Sequence, residues 1–122
     1  MAEASVLRGL LEGGWRDLSF EAFRDGIEIH RIETGETAEN AQAAILRYAP
    51  GARVPMHQHT GAEMILVLEG EQCDTRGRYP AGTLIINHPD SRHVVTAPEG
   101  CVVLIIWSRP IAFVDAAPGD AG

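Results

Sequence analysis

From Gly26 onward the chain is organised by a two-residue period. Ile27 and Ile29 alternate with Glu28 and His30, the pattern of a half-buried strand. Ala41 to Tyr48 reads as a second strand, and Pro50-Gly51 breaks it. His57-Gln58-His59 forms a further short strand, and Glu63 to Glu69 another. In the latter, Met64 to Leu68 are apolar at every position, which predicts burial on both faces, between layers or at a subunit contact. Asp74 to Gly82 reads as two turns around a short strand at Arg78 and Tyr79. Strands over Thr83 to Asn87, His93 to Thr96 and Cys101 to Ser108 follow. About eight to ten short strands, with turn signals every 8–12 residues or so, predict an all-β sandwich or barrel.

The ends read differently. Residues 3 to 12 predict one short amphipathic helix with Val6, Leu7, Leu10 and Leu11 on one side, stopped by Gly13-Gly14. Trp15 and Leu18 then read as an apolar lid on something downstream. Thr34 to Asn40 is polar and turn-like. The expected organisation is a single domain, with an N-terminal arm over 1–14, a barrel over 15–114 and a disordered tail over 115–122.

Within this frame one stretch carries chemistry. His57 and His59 are two apart on a strand and therefore point the same way. Thr60-Gly61-Ala62 can turn the chain, so that Glu63, at the start of the next strand, faces the same point. His93 is the candidate fourth ligand. Imidazole and carboxylate together suit zinc, iron, manganese or nickel. His30 falls on a polar face and His88 in a Pro-containing loop, so both read as solvated bystanders.

Charge narrows the partners. Ten Lys and Arg against seventeen Asp and Glu give a net charge of −7. No basic patch favours nucleic acid, and no cationic helix favours an anionic membrane. Met1 to Gly14 lacks both a positive leader and a long apolar segment, so the cytoplasm is the expected location. Cys73 and Cys101 are far apart and form no C-x-x-C pair, and no disulfide is expected in a reducing compartment. Cys101 opens an apolar run and reads as a small buried residue. Cys73 reads first in the same way and second as a site thiol.

Gly51, His57, His59, Glu63 and Gly70 match, position by position, the pattern G-x5-H-x-H-x3-E-x6-G. In this the chain resembles the cupin superfamily. The second cupin motif is matched in part: Gly82, Pro89 and His93 are present, Ser91 stands where glycine is usual, and Ala97 stands near the expected asparagine. Trp15 to Leu18, Arg47 to Ala52, Leu66 to Gly70 and Tyr79 to Gly82 resemble the branch of ChrR-like cupins and acetylacetone-cleaving dioxygenases, as do Ser91 to His93 and Glu99 to Cys101. That branch often carries a second acidic residue where Met64 stands here. The resemblance implies a cupin jelly-roll β-barrel, often homodimeric, holding one divalent metal per chain through His57, His59, Glu63 and His93. It covers the cupin part alone and does not imply sigma-factor binding.

Two functions compete at this point. The first is a metal-dependent dioxygenase-like enzyme acting on a small molecule. The second is a non-catalytic metal- or ligand-binding sensor module resembling the ChrR cupin domain. No general base stands out, although Arg47, Tyr48, Tyr79 and Arg92 are candidates for a pocket wall.

Overall fold

The computed structural model describes residues 3–37 and 40–114. Strands β1 (Glu21–Arg24), β2 (Ile27–Ile32), β3 (Gln42–Tyr48), β4 (Ala52–His59) and β5 (Glu63–Asp74) come first. They are followed by β6 (Gly77–Pro80), β7 (Leu84–Asn87), β8 (Arg92–Ala97), β9 (Cys101–Trp107) and β10 (Ile111–Phe113). All pair antiparallel in one curled sheet of order β1-β2-β3-β9-β5-β8-β4-β10, with β6 and β7 also on β5. The all-β expectation holds. β1 and β10 went unread because each is a three- or four-residue edge strand, too short to display a period.

β5 joins the two halves of the curl. Its first residues pair with β7 and β9, its last with β6 and β8. The register shifts between Val67 and Glu69, so one extra residue bends the strand from one half into the other. Val67 and Leu68 are consequently both buried, Val67 in the inner core and Leu68 in the outer cluster. Gly70 has φ 75°, and a Cβ there would lie 2.5 Å from the Gly100 carbonyl oxygen, so the last residue of the first motif has to be glycine.

The inner core comes from alternate residues of facing strands, among them Ile29, Leu46, Val54, Ile65, Val95 and Val103. The expected burial of β5 on both faces is corrected in part. Glu63, Ile65 and Val67 point inward, whereas Met64 is 42% exposed on the outside. Ordinary strand alternation prevails, and the chain's own residues cover only part of the outer face.

The expected helix over residues 3–12 is also corrected. Residues 3–9 have no regular structure, and two single 3-10 turns follow, Leu10–Glu12 and Gly14–Asp17. Gly9 and Gly13, both at positive φ, bracket the first turn, and so short a segment cannot recover the cost of helix nucleation. The arm still packs. Leu7, Leu10 and Leu18 surround Trp15 against Ile45, Leu68 and Val102, which makes Trp15 and Leu18 the lid that the sequence suggested. The tail expected to be disordered, 115–122, lies outside the described residues. Among those described, no helix is long and apolar enough to cross a membrane.

Candidate metal centre

β4 and β8 pair so that His57 lies directly opposite His93, and His59 follows on the same inward face. Three imidazoles from two strands therefore converge. The ring centroids are 4.6 to 5.1 Å apart, and each histidine offers a ligand nitrogen within 4.8 Å of the others. All three rings are at most 3% exposed. Glu63, at the head of β5, is buried beside them, its Oε1 3.3 Å from His59 Nε2. The structure thus brings together all four residues singled out in the sequence.

The hydrogen bonds fix which nitrogen of each ring faces inward. His57 Nδ1 lies 2.8 Å from the Pro55 carbonyl oxygen, an acceptor only, so Nδ1 carries the proton. His59 Nδ1 lies 2.9 Å from Ser91 Oγ, whose own proton goes to the His88 carbonyl at 2.6 Å, so here too Nδ1 donates. His93 Nδ1 meets the Asp74 carboxylate at 3.0 Å and an Arg76 nitrogen at 3.1 Å. Arg76 already donates to Asp74 and to Asn87, and an unprotonated Nδ1 would set its lone pair against a carboxylate. His93 Nδ1 therefore donates to Asp74. In every ring the free lone pair sits on Nε2.

Those lone pairs meet no donor. His59 Nε2 and His93 Nε2 are buried without a hydrogen-bond partner, and the nearest neighbour of His59 Nε2 is another acceptor, the Glu63 oxygen. Burying acceptors against one another is unfavourable unless a cation or a proton lies between them. The donor set of three neutral imidazoles and one carboxylate fits a divalent ion of the zinc, iron, nickel or manganese type.

The electrostatics agree. Burial pulls the His57 pKa down to about 4, against the opposing bond to Pro55, and the neighbouring rings of His93 and His59 pull it the same way. Burial likewise lowers His93, so both are neutral at pH 7. Burial on its own would raise the Asp74 carboxyl, but hydrogen bonds from Arg76, His93 and Tyr79 outweigh it and hold the group well below the usual carboxylate range. Asn87, fully buried, donates to Glu63 at 3.2 Å and accepts from Arg76 at 2.7 Å, which ties the Glu63 side of the site to the His93 side.

A cavity of about 260 Å³ opens beside the cluster, with His57, Glu63 and His93 in its lining. Tyr48 also lines it, and burial first of all raises its phenol above the ordinary value. The other suggested wall residues lie elsewhere: Arg47 pairs with Glu28, Tyr79 binds Asp74, and Arg92 is exposed beside Gln58. His30 is half-buried, its Nδ1 donating to the Ser19 carbonyl, and His88 is exposed in its loop. Cys73 and Cys101 are buried free thiols outside the site, and burial raises both. Sequence reasoning missed Asp74, Arg76, Asn87 and Ser91, because polar residues in turns and at strand ends carry no sign of what they will touch.

The chain shows clear likeness to known proteins. It is 34% identical over 79 residues to the anti-sigma-E factor ChrR of Cereibacter sphaeroides, a match that covers 63% of this chain and 37% of that protein. The crystal structure of Rhodobacter sphaeroides SigE in complex with the anti-sigma ChrR superposes with a TM-score of 0.67 at 29% identity, over 75% of this chain and 49% of that one. An acetylacetone dioxygenase from Acinetobacter johnsonii superposes with a TM-score of 0.77 over 94% of this chain and 80% of that one, at 16% identity, which speaks for the shared fold. The chain therefore spans well under two thirds of its ChrR relative. The family model described as the ChrR cupin-like domain matches residues 14–112, and the protein belongs to that family of cupins.

Proposed function

We propose that His57, His59, His93 and Glu63 hold one divalent ion, and that the ion acts on a small molecule bound in the adjoining cavity, as in a non-haem dioxygenase. The observation that carries this reading is the set of inward Nε2 lone pairs, two of them buried with no donor. His57, Glu63 and His93 also line the cavity, so an ion held there would be within reach of a bound molecule. When bound, the ion supplies Lewis-acid or redox chemistry to a substrate oxygen. The chain's own residues do the rest. Tyr48 keeps its proton and can donate it in a hydrogen bond to an oxygen of the bound molecule. The walls, with Ile65, Val95 and Val103 among them, exclude water, and Asp74, Ser91 and the Pro55 carbonyl hold the three rings in place.

A second reading has its own support. The relative at 34% identity is an anti-sigma factor, while the dioxygenase neighbour shares the fold at 16%. On that reading the site, loaded with zinc, is part of a sensing module, and the cavity holds a ligand without converting it. Oxygen uptake by iron-loaded protein, with a β-dicarbonyl or phenolic substrate, separates the two. Uptake that disappears in His57→Ala supports the enzyme. Metal binding without uptake supports the module.

The proposal includes a homodimer in the cytoplasm, where two free thiols are at home. Met64, Leu84 and Ile86 are 42%, 56% and 50% exposed, and Met64 pairs with Ile86 and Ile106 while Leu66 pairs with Leu84 and Leu104. This outer block of apolar side chains is the kind of patch that a second copy covers. Light scattering should give a dimer mass for the wild type and a monomer mass for a Leu84→Lys, Ile86→Lys variant.

A further inference from the structure

The cavity has a second charged end. Arg24 and Arg31 both line it, together with Phe23 and Phe113, which are 39% and 44% exposed and so mark its mouth. In a chain of net charge −7 these two cations have no carboxylate partner among the described residues. The ion pairs there use Arg16, Arg47, Arg76, Arg78, His59 and His93 instead. Arg24 is also held in place. Its guanidinium carbon lies 4.6 Å from the centre of the Phe113 ring and 4.8 Å from that of Phe23, and Arg31 lies 5.7 Å from Phe23. Phe113 in turn sits edge-on to His57, centroid to centroid 6.3 Å, so the cationic mouth and the histidine cluster flank one ring.

We infer that the cavity takes a small carboxylate with an apolar body, its carboxylate on Arg24 and Arg31 at the mouth and its body running inward along Ile29, Leu46 and Ile105 toward His93. This deepens the proposed function and rests on reading the cavity as the ligand site. The orientation follows from charge. Guanidinium pairs with carboxylate in a planar, two-pronged contact, and no carboxylate among the described residues occupies Arg24 or Arg31. Along that path Ile29, Leu46 and Ile105 offer a polar body no hydrogen-bond partner. At about 30 Å³ per water-sized group, the volume admits a molecule of roughly ten non-hydrogen atoms.

The probes are octanoate and 1-octanol, which share a chain and differ in the head group. Each is titrated calorimetrically, with fluorescence of the cavity residue Trp107 as a second readout, into the wild type, an Arg24→Gln, Arg31→Gln variant, and protein stripped of metal by a chelator. Octanoate should bind the wild type roughly tenfold more tightly than octanol. The preference should fall with added salt. The double variant should bind both probes alike, at unchanged melting temperature and unchanged zinc uptake. The inference is overturned if the double variant keeps the octanoate preference, or if the wild type has none. It is equally overturned if stripping the metal abolishes the preference, because the carboxylate then sits on the ion. Protein that takes up no metal yet keeps the arginine-dependent preference would contradict the metal reading and leave this inference standing.

Discussion

His57 and His93 face each other across one ladder and are held in opposite ways. His57 is tethered to the carbonyl of Pro55, two residues back on its own strand. His93 is tethered to Asp74, nineteen residues away, whose carboxylate is itself bound by Arg76 and Tyr79. One anchor comes with the backbone of β4. The other exists only once β5, β6 and β8 have assembled. As ligands of the proposed ion, the two rings should therefore fail for different reasons. Removing the ring should be what disables His57, whereas a change at the distant Asp74 should also disable His93.

The largest effect expected from an anchor is therefore at Asp74. Asp74→Asn should weaken zinc binding by roughly 10–100-fold, the usual range for partners that orient a ligand histidine, in a chelator-competition assay. Arg76→Gln should do less, because Tyr79 still holds the carboxylate. Equal affinities for Asp74→Asn and the wild type would erase the distinction between the two rings.

A pH scan of metal-free protein isolates the contribution of His57. The unfolded chain takes up its His57 proton near 6.5, while burial delays uptake in the folded chain to about 4. The neutral ring's contribution is complete above 6.5 and is lost as pH falls through that window. Urea midpoints should drop between those limits, and His57→Gln should flatten the fall. A midpoint independent of pH across the window would show that the ring charges freely in the folded state.

The smallest effects are at the third ring and the bystanders. Ser91→Ala should cost only a few-fold in affinity, since the Ser91 backbone carbonyl still accepts from His59 at 3.1 Å. His30→Ala and His88→Ala should leave metal content unchanged. A large loss in either would mean that the cluster has the wrong members.

The same contrast explains what was legible in the sequence. Much of the stretch from Gly51 to Gly70 was readable because its spacing is local. The two-residue spacing turns His57 and His59 to one face, whereas the reason for Gly70, the close approach of the distant Gly100 carbonyl, emerges only in the fold. Ile27 and Ile29 announced their strand by period, and the Cys101 run announced its strand by an unbroken apolar stretch. The network behind His93 was not legible. Asp74, Arg76 and Asn87 meet through strand pairings whose register no short window contains. The N-terminal helix was misread because an apolar spacing of three suits a 3-10 turn as well as an α-helix, and the glycines at 9 and 13 decided between them. Exposure of Met64 could not be foreseen either, since an all-apolar run hides which face the fold will leave uncovered.

All of these metal-binding effects depend on one metal ion held by the three histidines and Glu63, as proposed above. Elemental analysis after equilibration with zinc and removal of the excess tests it directly, on the wild type and on a His57→Ala, His59→Ala variant. One equivalent per chain is expected in the wild type and none in the variant, with both folded by circular dichroism. Stoichiometric metal in the variant would place the ion elsewhere. A folded wild type that retains no metal would contradict the claim outright.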